Sequence, residues 1–127
     1  MVCCDTNFLI ELLRNTPQAI SKLAELGDES LTTTIISVAE LCKGVYRTND
    51  ISRSMADVWS LLSNFIVLNL DRAGCLTYGE LSASLTGNQL ADADMLIASI
   101  AISNSESLLT SDSAFERVPN LETENWI

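Results

Sequence analysis

Four carboxylates in four separate segments are the groups best placed to do chemistry: Asp5, Glu40, Asp94 and Asp112. Two of them follow short apolar runs and two lie in segments with helical spacing. Gathered in one cleft they would repel one another unless cations neutralised them. An oxygen-only ligand set of this kind suits Mg²⁺ or Mn²⁺. The chain has no histidine. That excludes Ser-His-Asp and Cys-His catalysis, imidazole acid–base chemistry and His-based zinc sites. A bound cation is then the available means of lowering the pKa of a water and stabilising charge on a phosphoryl oxygen. It would also let an acidic protein hold a phosphodiester locally.

The segments around these residues must place them. Leu90-Ala91-Asp92-Ala93-Asp94 opens a run continuing through Met95, Leu96, Ile97, Ala98 and Ile102. It contains no helix breaker and reads as a buried helix ending near Ser103-Asn104. Asp92 suits a cap at the helix N-terminus. Asp94 shares a face with Ile97, Ala98 and Ala101, so it is either a cap or ion-pair partner, or a cation ligand. Val2-Cys3-Cys4 reads as a buried strand ending at Asp5, and Phe8 to Leu13 as a helix. Asp5 thus stands where open α/β sheets form their sites, although N-capping alone would also explain it. A second helix starts at Pro17 and stops at Gly27. Leu31 to Thr34 is a β-branched strand, after which Ser37 is expected to cap a helix from about Val38 to Tyr46. Val38, Leu41, Cys42 and Val45 form its apolar face. Glu40 lies off that face, either in a solvated pair with Lys43 or beside a cleft to which Gly44 gives room.

Ile51 to Ser63 reads as a helix with Met55, Val58, Trp59 and Leu62 on its inner side. Phe65 to Leu70 reads as a third strand. Asp71 caps the next helix, which is expected to end at Thr86-Gly87-Asn88. Ser107 to Ser111 is a fourth strand ending at Asp112. A short helix or turn with Ala114, Phe115 and Val118 follows, then an edge strand near Leu121 to Glu124, and Trp126 packs the tail. Strands alternating with helices imply an α/β fold with a mostly parallel central sheet flanked by helices, as a single domain over residues 1–127.

Composition narrows the functions. The 127 residues carry 17 acidic and 7 basic side chains, for a net charge of −10. A broad basic surface for nucleic acid is therefore absent. No apolar run reaches the ~18–20 residues that span a bilayer, and no basic segment leads an apolar one. The expectation is a soluble, cytoplasmic protein. Cys3, Cys4, Cys42 and Cys75 form no C-x-x-C pair. They read as small core residues in a reducing compartment.

Several segments together resemble the PIN-domain proteins of the VapC toxin type. They are Val2-Cys3-Cys4-Asp5-Thr6-Asn7, Thr34-Ile35-Ile36-Ser37-Val38-Ala39-Glu40-Leu41 and Asp94-Met95-Leu96-Ile97-Ala98. With them go Leu109-Thr110-Ser111-Asp112-Ser113-Ala114-Phe115, Val118-Pro119-Asn120-Leu121 and Asn125-Trp126. Each is weak alone, but in this order they span nearly the whole chain. The resemblance implies a PIN fold and a Mg²⁺- or Mn²⁺-dependent endoribonuclease. It puts the family's acidic residues at Asp5, Glu40, Asp94 and Asp112, with Asp92 secondary. Thr6, Asn7 and Thr110 match polar residues near the family's site. It also implies a homodimer and a cognate antitoxin whose peptide fills the cleft. The unusually acidic balance departs from what an RNA-binding protein would carry. Lys43, Arg47 and Arg14 are the basic residues suggested for phosphate contacts, against plain solvated charge.

Two other classes compete. A non-catalytic PIN-like module would bind RNA or a protein without cutting. An aspartyl-phosphate phosphatase or receiver domain would use Asp5, but position 7 is Asn where the D-x-D pattern needs Asp. Position 4 is Cys where a receiver needs an acidic residue.

Overall fold

Val2-Cys3-Cys4 is apolar at every position, so it can pair on both sides and be covered on both faces. In the computed structural model, which describes residues 1–85 and 90–127, it does so as the central strand β1 (Val2–Cys4). Its neighbours are β2 (Leu31–Thr34) and β4 (Ser107–Leu109); β3 (Ile66–Leu68) and β5 (Thr123–Glu124) lie outside them. The order is β3-β2-β1-β4-β5 and every pairing is parallel. Val2 stands opposite Leu31 and Ser107, and Cys4 opposite Thr33 and Leu109. A wholly parallel sheet brings all strand C-termini to one edge, so Asp5, Thr34 and Thr110 come out side by side.

Side chains alternate across the strands and divide the core. Val2, Cys4 and Leu109 face a layer with Phe8, Leu9, Leu41, Val58 and Trp126. Cys3 and Leu108 face the opposite layer, with Leu81, Met95, Ile97, Ala98 and Phe115. Each large apolar side chain fully buried here contributes about 1.5–3 kcal/mol. Trp126 meets Phe8 edge-on with ring centroids 5.4 Å apart, which seals the tail against the first helix as expected.

Among the described residues six α-helices cover the sheet: α1 (Thr6–Leu13), α2 (Pro17–Leu26), α3 (Ile35–Val45), α4 (Ile51–Leu62), α5 (Arg72–Ser84) and α6 (Asp92–Ser103). Asp50 and Asp71 cap α4 and α5 by accepting from the Arg53 and Gly74 N–H groups. Pro17 opens α2, and Gly27 closes it at a φ of 59°. A 3₁₀ helix covers Ser113–Arg117. Among the described residues no helix is long and apolar enough to cross a membrane.

Several expectations need correction. The third helix begins at Ile35, because Thr34 rather than Ser37 caps it. The strand ends at Thr34 as expected, but the β-branched Ile35 and Ile36 hide the helix start that follows it directly. The third strand is three residues long, not six. Trp59 is 51% exposed, because it stands on the flank of α4 beside the edge strand, where no further layer covers it. Cys75 is exposed and Cys42 only half-buried, so only Cys3 and Cys4 are core residues. The end expected for α5 at Thr86-Gly87-Asn88 lies outside the described residues.

Candidate active site at the C-terminal edge of the sheet

Asp5 leaves β1 in extended geometry and caps α1. Its Oδ1 accepts from the Thr6 N–H at 2.8 Å, and its Oδ2 accepts from the Thr110 hydroxyl at 2.8 Å. Asp5 is only 5% exposed. Burial therefore pushes its carboxyl up to about 6, although the Thr110 and Thr6 hydrogen bonds pull the other way. The nearby Asp94 and Glu40 charges raise it further. The capping reading of Asp5 is thus correct but incomplete. A cap needs a carboxylate at a helix start, not one sunk among others of its own sign.

Glu40 comes from α3, half-buried. Its Oε1 accepts from the Thr6 hydroxyl at 2.7 Å, and the Thr6 Oγ1 lies 2.9 Å from Ser37 Oγ. The Glu40–Lys43 alternative is absent: among the described residues, none of the ion pairs involves Glu40. Asp94 stands in the first turn of α6, above the fully buried Ile97, Ala98 and Ala101. Burial raises its carboxyl, and the charges of Glu40 and Asp112 add to the rise. Asp112 follows β4 and caps the 3₁₀ helix: its Oδ1 accepts from the Ala114 N–H at 2.9 Å. Its own N–H donates to Thr110 Oγ1 at 3.0 Å. Thr110 thus ties Asp5 to the turn that carries Asp112.

The fold therefore brings Asp5, Glu40 and Asp94 into electrostatic reach of one another, and Asp112 into reach of Asp94. The other expected residues divide. Thr6 and Thr110 touch the carboxylates directly. Asn7 turns away, its amide donating to Ser111 Oγ at 2.8 Å, which leaves Asn7 Oδ1 buried without a partner. Asp92 is exposed and does not cap α6; Ala91 occupies the cap position, and Asp92 accepts at 3.4 Å from the Tyr78 hydroxyl. A groove of about 320 Å³ runs beside Glu40 between α1, α3 and α4, with Gly44 in its wall as expected. Arg14 stands on that wall; Lys43 and Arg47 do not. Arg14 pairs with Glu11 at 3.0 Å. Ser37, read from sequence as a cap, belongs to the site through Thr6. Its place three residues before Glu40 on one helix was the available signal.

The donor set fits a hard divalent cation: oxygens alone, with like charges raising one another and no ion-pair partner for any of the four among the described residues. Among the described residues no three His, Cys, Asp or Glu side chains stand close enough together to hold a metal ion as placed.

The family model for the PIN domain matches residues 2–121. The chain is 31% identical to Ribonuclease VapC2 of Rickettsia felis, with 96% of this chain and 95% of that protein covered. It is 28% identical to the tRNA(fMet)-specific endonuclease VapC of Salmonella typhimurium over the same shares. The fold superposes on VapBC2 from Rickettsia felis bound to a DNA fragment from its promoter, with a TM-score of 0.91. Identity there is 27%, and both chains are covered completely. VapBC-1 from nontypeable Haemophilus influenzae gives a TM-score of 0.88 at 29% identity, covering 99% of this chain and 98% of that one. By the match of its sequence to the family model, and in agreement with its parallel sheet, the chain belongs to the PIN domain family.

Proposed function

We propose that the chain is a single-domain, metal-dependent endoribonuclease that hydrolyses RNA phosphodiester bonds, acting as the toxin of a toxin–antitoxin pair in the cytoplasm. The observation that carries the chemistry is the seat of Asp5, buried at the strand ends with both oxygens hydrogen-bonded and with Glu40 and Asp94 near enough to raise its carboxyl. Such a set at neutral pH calls for cations. Relatives named as ribonuclease and as tRNA-specific endonuclease support RNA as the substrate. Nucleases of this family are in general dependent on a divalent metal. Oxygen-only donors favour Mg²⁺ or Mn²⁺ among such metals.

Asp5, Glu40, Asp94 and Asp112 are the residues that would hold the metal. When bound, it would lower the pKa of a water and offset charge on the phosphoryl group. The chain's own part is positioning. The Thr110 and Thr6 hydrogen bonds fix both oxygens of Asp5. Thr6 holds Glu40 where it can orient an attacking water. Arg14, on the groove wall beside Glu40, is the best-placed basic contact for an RNA phosphate, with Lys43 and Arg47 further along the exposed side. Asp92 takes a secondary place at the exposed rim, and Asn7 a secondary place through its bond to Ser111.

The solved VapBC neighbours are complexes of toxin and antitoxin. They support a cognate antitoxin as partner here; the homodimer follows from the family resemblance alone. The function is tested by incubating the purified protein with total RNA in Mg²⁺ or Mn²⁺ and sequencing the new ends. Discrete new ends that vanish with EDTA support the proposal. RNA bound without new ends in either metal would replace it with a non-catalytic binding module.

A further inference from the structure

We infer that Ser37 is a positioning residue for Glu40, acting through Thr6 in a one-way chain of hydroxyl groups. The inference rests on the proposed role of Glu40 in the metal-holding set and adds a residue to it. Thr34 Oγ1 lies 3.3 Å from Ser37 Oγ and accepts the Ser37 N–H at 3.1 Å. Ser37 Oγ lies 2.9 Å from Thr6 Oγ1, which lies 2.7 Å from Glu40 Oε1. Each hydroxyl has one proton. An ionised carboxylate only accepts, so Thr6 must donate to Glu40. Thr6 must then accept from Ser37, and Ser37 from Thr34. The Ser37 N–H fills one of the two acceptor sites on Thr34 Oγ1. Every hydroxyl proton along the chain then has an acceptor, and the chain ends on the carboxylate.

Thr34 and Ser37 are fully buried and Thr6 is 9% exposed, so water has no ready access to replace a missing link. The Thr6 N–H meanwhile donates to Asp5 at 2.8 Å. One residue therefore fixes two like-charged carboxylates, Asp5 by its backbone and Glu40 by its side chain. Ser37 supplies the hydrogen bond that sets the direction of the Thr6 hydroxyl. Without it, Thr6 is held from one side only and Glu40 loses its fixed place opposite Asp5. Chains of this kind polarise one another, so the loss falls on the link nearest the carboxylate.

The test uses the full chain with Ser37→Ala, Thr6→Val, Thr6→Ser and the Ser37→Ala/Thr6→Val double variant. Three readings are taken: kcat and KM for RNA, Mn²⁺ affinity by calorimetry without RNA, and thermal melting. Ser37→Ala should lower kcat by about tenfold or more, weaken Mn²⁺ binding severalfold, and leave KM within about twofold, as for other outer partners of a metal site. Thr6→Val should lose at least as much, and Thr6→Ser, which keeps the hydroxyl, should stay within about threefold of the parent. The double variant should be no worse than Thr6→Val alone, because both cut one chain. Ser37→Ala with parental kcat and Mn²⁺ affinity overturns the inference. So do losses that multiply in the double variant, or Thr6→Ser failing as Thr6→Val does. If Ser37→Ala does not fold, the two Thr6 variants decide. A parent protein that binds Mn²⁺ but cuts no RNA counts against the proposed function alone, and the Mn²⁺ readings then judge Ser37. A parent that binds no Mn²⁺ overturns both.

Discussion

Replacing Asp5 by Asn should make the metal-free protein more stable at neutral pH. The folded carboxyl sits at about 6 against an ordinary 3.8, chiefly because it is buried. A raised carboxyl means that the folded state binds the proton more tightly than the unfolded chain. The resulting stabilisation is complete below the unfolded value of 3.8 and is lost as pH rises through about 6. At about 1.4 kcal/mol per pH unit, the ionised form costs the fold about 3 kcal/mol above that window. Asn carries no charge and escapes this cost. Its Oδ1 can keep the Thr6 N–H bond, but its amide nitrogen would face Thr110 and force that hydroxyl to turn, a loss of about 1 kcal/mol. The net expectation in EDTA at pH 7.5 is a gain of about 1–3 kcal/mol for Asp5→Asn. For a chain of this size that is about 3–5 °C in Tm per kcal/mol. By pH 4 the advantage should be gone. Urea denaturation followed by tryptophan fluorescence at the two pH values measures both quantities. An Asp5→Asn protein less stable than the parent at pH 7.5, or a gap that does not change with pH, would refute the reasoning.

Divalent metal should reverse that ranking: millimolar Mn²⁺ should raise the Tm of the parent by several degrees and leave Asp5→Asn almost unmoved, as differential scanning fluorimetry would read. Trp126→Ala should cost about 3–5 kcal/mol in urea denaturation, since Trp126 is 9% exposed and closes over Phe8; a cost under about 1 kcal/mol would show that the tail packs loosely. In the native protein a thiol reagent should modify the exposed Cys75 quickly and Cys42 more slowly. Burial raises both other thiols, Cys3 to about 12, so Cys3 and Cys4 should react only on unfolding; four fast thiols in native conditions would contradict the core.

Much of the architecture was legible because the strands are short and sharply bounded. Val2-Cys3-Cys4 ends at a carboxylate and could be read directly, whereas the fourth strand, expected to run to Ser111, stops at Leu109 and reaches Asp112 through Thr110 and Ser111. The start of α3 could not be read directly. Ile35 and Ile36 are β-branched like the strand before them, and only the Thr34 hydroxyl on the Ser37 N–H shows that the helix starts at once. Trp59 falls at helical spacing from Met55 and Leu62, yet it is exposed. Spacing gives a helix face but not whether another layer lies over it. Within the site, the four acids stand out because so little other chemistry is available in a chain without histidine. The hydroxyls that fix them do not. The Thr6–Ser37 contact joins residues 31 apart, and Thr110–Asp5 joins residues 105 apart. Such pairings depend on sheet order, which no local pattern encodes. The order β3-β2-β1-β4-β5 puts β2 and β4 on either side of β1 and so delivers both partners to Asp5 and Thr6.

The most direct test of the central claim is single-turnover cleavage of a mixed RNA substrate by the parent and by Asp94→Asn, purified side by side, in Mn²⁺ with and without EDTA. The parent should cut only with metal present, and Asp94→Asn should be slower by about 100-fold or more while melting as a folded protein. Equal cleavage by the two proteins, or cleavage that survives EDTA, would contradict a metal-dependent carboxylate site at this edge of the sheet.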